Sequence, residues 1–207
     1  MTTAPSRTIS ASISEPFRIA TFREFDGYCF RMEPEEKSGL IIPLPEAELL
    51  VRRWRENLDP GCILGVPAHI TVLFPFASPG DIDDEMIATL QTYFSEFEPF
   101  KFGFEAIGWF EDTVVYLDPT PDDVFRGITR GLAKLFPMYL PYEGKYGESA
   151  PHLTIGDGAP LDLLQEAAMN ITPHLPLTVS ADRVWLMAGG TDPGSWTLRH
   201  EFAFAHS

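Results

Sequence analysis

The sequence predicts an α+β domain made of two pseudo-symmetric halves, with two sheets lining a central cleft and helices outside. Three observations carry that prediction. Apolar residues switch between strand-like and helix-like periodicity along the chain. The order strand, helix, strand, helix, strand pair runs twice. Two short segments, Pro67-Ala-His-Ile-Thr-Val72 and Ala150-Pro-His-Leu-Thr-Ile155, match at equivalent places in the two runs.

Composition narrows the class. A chain of 207 residues with 44% hydrophobic and 22% charged residues fits one internally doubled globular domain and excludes wholesale disorder or coiled coil. Thirty Asp plus Glu against 15 Lys plus Arg leave a formal charge of −15, which repels a polyanion and excludes wrapping of long RNA or DNA. No apolar run is long enough to cross a bilayer, and the N-terminus is polar where a signal peptide would be apolar, so a soluble, cytoplasmic protein without a membrane partner is expected. Cys29 and Cys62 lie in unlike contexts with no Cys or His at metal-ligand spacing beside them. They read as free, buried thiols, and neither a metal nor a cofactor is expected.

Residues 2–14 are mostly Ser, Thr and Ala and read as a disordered arm. Residues 17–32 partly alternate, which suggests an added strand or hairpin. Together 1–37 form an N-terminal extension to a duplicated domain at 38–207, with halves at about 38–112 and 113–207. The run Gly39-Leu-Ile-Ile-Pro-Leu44 reads as a buried strand ending near its proline. Pro45 then opens a helix with Glu46 and Glu48 in its first turn and Arg52, Arg53 and Arg55 later, matching the helix dipole at both ends. Leu50, Trp54 and Leu58 supply its buried stripe. His69 to Phe74 is β-branched and aromatic, a strand stopped by Pro75.

A helical pattern follows to about Phe97, its start carrying Asp81, Asp83, Asp84 and Glu85, where the dipole favours acids more readily than a metal site would. Strands at 101–107 and 113–117 flank a turn holding Trp109 and Phe110, which line the cleft mouth or close the core edge. Thr120 caps the next helix with Pro121 first. Its apolar stripe is Val124, Ile128, Leu132 and Phe136, while Arg126, Arg130 and Lys134 form a basic stripe on a solvated face. A Gly- and Tyr-rich loop leads to a strand at 151–155, a helix at 161–170 and strands at 177–187 and 196–204. His174, His200 and His206 have no matching partners and read as surface residues.

Side chains alternate across a strand, so His69 and Thr71 share one face, as do His152 and Thr154. Two imidazoles divide acid and base roles near neutral pH, and two hydroxyls bind the non-bridging oxygens of a phosphate as charge moves onto them. A lone His-x-Thr arises by chance, whereas two at equivalent places in a duplication do not.

This paired motif resembles the two-histidine (2H) phosphoesterase superfamily, which includes proteins named 2′-5′ RNA ligases and cyclic phosphodiesterases. The resemblance covers residues 38–206. It implies a two-lobed 2H phosphoesterase-like fold and a hydrolase with a part in RNA processing. The implied reaction is metal-independent opening of a 2′,3′-cyclic phosphate, or the making and breaking of 2′-5′ phosphodiester bonds. By this resemblance His69 and His152 are catalytic and Thr71 and Thr154 hold the phosphate. Where some members place an Arg just after the second motif, this chain reads Thr154-Ile-Gly-Asp157.

Tyr142 and Tyr146, in the loop before the second motif, are candidates for stacking on a nucleobase, or else they pack the loop. The expected partner is a nucleotide or short RNA end, bound by a monomer. The rival from another class is a non-catalytic module that keeps the cleft and binds a nucleotide or phosphometabolite. A metal-dependent hydrolase would need ligand spacing that the chain does not supply. Deleting residues 1–14 is expected to leave both the melting temperature and the turnover of the protein unchanged, because nothing in that arm anchors to a core. A large drop in melting temperature would count against it.

Overall fold

The computed structural model describes residues 22–25, 28–31, 36–144 and 150–205. The chain divides into two compact units, Met1–Glu35 and Glu36–Ser207. The first holds an antiparallel hairpin of β1 (Phe22–Phe25) and β2 (Tyr28–Arg31), within the segment whose alternation predicts a strand or hairpin. The arm expected at 2–14 lies outside the described residues.

The second unit opens with β3 (Lys37–Pro43), α1 (Pro45–Leu58), the short α2 (Pro60–Leu64), β4 (His69–Leu73) and α3 (Asp84–Phe94). Then come β5 (Phe100–Phe110), β6 (Val114–Thr120), α4 (Asp123–Leu135), β7 (Leu153–Asp157) and α5 (Leu161–Ile171). The strands β8 (Leu177–Ala181), β9 (Arg183–Gly189) and β10 (Thr197–Ala203) finish it. They form two four-stranded antiparallel sheets in the orders β10-β9-β3-β4 and β7-β6-β5-β8.

The duplication is visible strand for strand, since β3 and β6 hold equivalent inner places and β4 and β7 equivalent edges. The sequence halves nevertheless do not each own a sheet. β5 follows α3 in the first half yet pairs with β6 and β8, and β9 follows β8 in the second half yet pairs with β3. The stretch 177–187, expected as one strand, is therefore two strands in different sheets, separated at Asp182. Likewise β5 runs through Phe110, so the expected turn at 108–112 shrinks to 111–113. Thr120 does not cap α4, because it is taken up in the β6 ladder opposite Gly103. Asp122 takes the flanking place and holds Arg126 at 2.7 Å. At α3 the acids do mark a helix start, where the Asp83 carboxylate accepts the Met86 N–H at 2.8 Å.

Helices cross between sheets. α1 connects two strands of the first sheet but packs against β7 and β8 of the second, while α4 packs against β4 of the first. α3 covers β10 and α5 covers β6. This crossing rotates the expected α1 stripe. Ala47, Val51, Arg55 and Leu58 are buried, and Leu50 and Trp54 are only partly so. On α4 the buried residues are Phe125, Ile128 and Leu132. One hydrophobic core results, joining Leu40, Ile70 and Leu186 of the first sheet to Leu117, Leu153 and Val179 of the second. Among the described residues, no helix is long and apolar enough to cross a membrane.

The exchange of β5 and β9 makes each half depend on the other. Residues 36–112 and 113–205 expressed separately should each lack a cooperative denaturant transition, and mixing them should restore one. Cooperative unfolding of either half alone would contradict that dependence.

Candidate active site

The two edge strands that carry the paired motif run side by side, with Cα atoms of β4 and β7 within 8 Å of one another. On β4, Ile70 and Val72 point into the core at 0% and 2% exposure, and His69 and Thr71 take the opposite, half-buried face. His69 lies across from Pro43 and Thr71 across from Ile41. His152 immediately precedes β7, where Leu153 and Ile155 are buried and Thr154 sits opposite Tyr116 of β6. Gly156 permits this packing, since a Cβ there would stand 2.9 Å from Leu58 of α1 and 2.6 Å from Leu164 of α5.

Both imidazoles are oriented by the same device. His69 Nδ1 lies 2.7 Å from the Pro67 carbonyl oxygen, and His152 Nδ1 lies 2.8 Å from that of Ala150. A carbonyl only accepts, so Nδ1 carries the proton in each ring and Nε2 of the neutral ring is left with its lone pair. At the first motif Thr71 Oγ1 stands 3.1 Å from Nε2, where its hydroxyl donates. Burial, then the Arg55 charge and the His152 ring, hold His69 down at about 3 against the Pro67 carbonyl, which acts the other way. Burial also lowers His152, opposed by the Ala150 carbonyl and by the carboxylates of Asp157 and Asp118. The two rings therefore sit in unequal surroundings.

The walls differ as well. Phe110 meets His152 edge-on with centroids 4.9 Å apart, Tyr116 lies 5.2 Å from it, and the two aromatic rings are 4.3 Å from each other. A side chain at Gly108 would overlap the Tyr116 ring, so the glycine opposite Tyr116 gives the ring its space. Trp109, on the other face of β5, packs against the main core. In the first sheet a smaller cluster of Ile41, Val66 and Met187 is flanked by Trp185 and Trp196.

Of the other sequence candidates, Tyr142 is half-buried in a 3₁₀ turn (Pro141–Gly144) at φ 50°, and its N–H donates to the Phe74 carbonyl at the end of β4. Tyr146 and His206 lie outside the described residues. His174 sits in the 3₁₀ turn Thr172–His174, and His200 of β10 packs on Phe202. In the α4 basic stripe Arg126 is paired with Asp122, while Lys134 is exposed. Cys62 is free and partly buried.

Sequence reasoning missed Tyr116 and Arg55. Alternation in Val114-Val115-Tyr116-Leu117 places Tyr116 opposite the buried pair Val115 and Leu117, a signal that was present. Arg55 is 1% exposed, with acids four residues after it and seven before it on the same helical face.

No curated relative matches the sequence. In solved structures the fold is similar to Escherichia coli LigT complexed with 3′-AMP, with a TM-score of 0.54 at 18% identity over 84% of this chain and 100% of that one. It is also similar to a structure described as a phosphoesterase, with a TM-score of 0.51 at 17% identity over 84% and 100% of the two chains. A protein of Thermus thermophilus gives 0.52 at 18% identity over 81% and 97%. The family model for the 2′-5′ RNA ligase superfamily matches residues 43–193, a span that contains both His-x-Thr motifs and the strands that bear them. The chain belongs to the 2′-5′ RNA ligase superfamily, within the wider group of 2H phosphoesterases.

Proposed function

We propose that the protein is a metal-independent phosphoesterase that opens 2′,3′-cyclic phosphates, or cleaves and joins 2′-5′ phosphodiester bonds, at a nucleotide or short RNA end. The observation that carries this reading is the twin imidazoles, each with Nδ1–H pinned to the carbonyl two residues earlier, so that Nε2 is the atom that exchanges protons, at His69 once the Thr71 hydroxyl turns from Nε2 to the phosphate. Family membership supports phosphoester chemistry. LigT, similar in fold, was crystallised with 3′-AMP and with NADP+, which favours a nucleotide as the ligand class.

The inequality of the two rings supports giving them different roles. His69, kept neutral at about 3, is the base. His152, with Asp157 and Asp118 working against its burial, is the acid. In hydrolysis of a 2′,3′-cyclic phosphate, a water oxygen bonds to phosphorus and its proton goes to Nε2 of His69. The bond from phosphorus to the ribose 3′ oxygen breaks, and that oxygen takes the proton of His152, leaving a 2′-phosphate. Thr71 and Thr154 donate to the non-bridging oxygens as charge accumulates there.

His69→Ala and His152→Ala should each lower turnover by about 10²–10⁴-fold, and the double change should cost far less than the product of the two. Excess EDTA should leave the native rate intact. Loss of activity in EDTA, or near-native turnover by both single variants, would overturn the mechanism. Saturable nucleotide binding without product would identify a binding module instead. Because the acid acts only while protonated and His152 lies below its ordinary 6.5, kcat/KM should fall on the alkaline side at a pH below 6.5. The acidic limb should lie near the value of about 3 held by His69. A plateau persisting above pH 7 in kcat/KM would contradict the assignment.

A further inference from the structure

Arg55 is the one buried cation among the described residues. Its Nε and Nη2 hold Asp59 Oδ2 at 2.9 and 2.8 Å, and Nη2 also donates to the Val66 carbonyl at 3.1 Å. Nη1 lies 3.6 Å from Glu48 Oε2 and has no hydrogen-bond partner. Glu48 Oε2 in turn accepts the Ala68 N–H at 2.6 Å. The carbonyl of residue 66 and the amide of residue 68 are thus both tied to α1 side chains, and between them stands Pro67, whose carbonyl pins the His69 ring.

A buried ion pair is a poor source of stability, since apolar side chains of the same volume often replace one without loss. The placement accounts for it better. We propose that Arg55, held by Glu48 and Asp59, is a positioning residue of the first motif: it fixes the 66–68 segment that aims His69 and sets a permanent positive charge beside that imidazole. This deepens, and rests on, the two-histidine reading of the site. The charges that act on His69 are Arg55 from α1 and His152 ahead of β7, both opposing its protonation, while the Pro67 carbonyl favours it. The second half has no equivalent, for α4 buries only apolar residues and His152 is influenced by Asp157 and Asp118. Arg55 is thus a charge that acts on one of two matching motifs and not on the other, beside the burial that lowers both rings.

The test is a side-chain NMR titration of the imidazoles in the unliganded full-length protein, read beside kcat/KM profiles, for Arg55→Met, Arg55→Gln and Arg55→Lys. Methionine keeps the bulk without the charge. Glutamine is neutral but retains a donor where Arg55 Nε meets Asp59, so the result stands if the methionine variant does not fold. Loss of charge should raise the His69 midpoint by about one pH unit or more, the scale of a near charge, and leave His152 close to its native midpoint. The acidic limb of kcat/KM should move with it. Arg55→Lys should keep the native midpoint while lowering kcat more than it changes KM, because the charge remains and the fork that holds residue 66 is lost.

A His69 midpoint unchanged in a folded neutral variant would overturn the proposal, as would an equal shift of both histidines. If the midpoint moves as expected but the native protein turns over no cyclic phosphate or 2′-5′ linkage, the placement of Arg55 stands and the functional reading fails. If turnover is present and no midpoint moves, the inference about Arg55 fails alone.

Discussion

Helix α1 leaves the sheet whose strands it connects and buries Ala47, Val51 and Leu58 against the other one, while α4 does the reverse. Everything at the site depends on this crossing. It draws β4 and β7, each the edge of its own sheet, into one seam beneath a single core. An edge strand has a neighbour on one side only, so a side chain on its solvent face stays half-open while the strand is still anchored by buried residues on the other. His69 and Thr71 occupy such positions, backed by Ile70 and Val72. Strand exchange through β5 and β9 then locks the two lobes, so the imidazoles are held by the whole fold and not by a flexible pair of halves.

Within that frame, symmetry and asymmetry have separate physical sources. The shared carbonyl acceptor is a backbone feature and repeats in both halves, which gives both rings the same tautomer. What surrounds each ring comes from side chains, and these have diverged. A buried guanidinium acts on one imidazole, whereas aromatic rings and two carboxylates act on the other. A duplicated fold that begins with two equal histidines can in this way end with two unequal proton affinities.

Much of this was legible in the amino-acid order because the information is local. The spacing His69-x-Thr71 fixes a shared face on any strand, and the acids and proline at 45–48 mark the start of α1 wherever it docks. What escaped is non-local. Leu50, Trp54 and Leu58 form a stripe by spacing, and Leu58 is buried, but the rest of the buried face of α1 is turned to Ala47, Val51 and Arg55, because the helix meets the opposite sheet and Arg55 reaches Asp59 and the Val66 carbonyl. Residues 177–187 read as one apolar run, and nothing within the run announces that its two ends belong to different sheets. Thr120 and Pro121 carry the residue types of a helix start, yet ladder pairing with β5 takes Thr120 first.

The seam between β4 and β7 has a further consequence, for solubility. A sheet edge presents unpaired amides and carbonyls that recruit other chains, and two open sheets have four such edges. Here two of them lie against each other. Of the remaining two, β10 is interrupted by a bulge between Leu198 and His200 and carries the charged Arg199 and Glu201, while β8 is five residues long, follows Pro176 and has Ser180 tied to Glu46. The seam that presents the histidines thus also brings two of the four sheet edges in this unit close to each other. Changes that part the seam would turn both edges toward other chains.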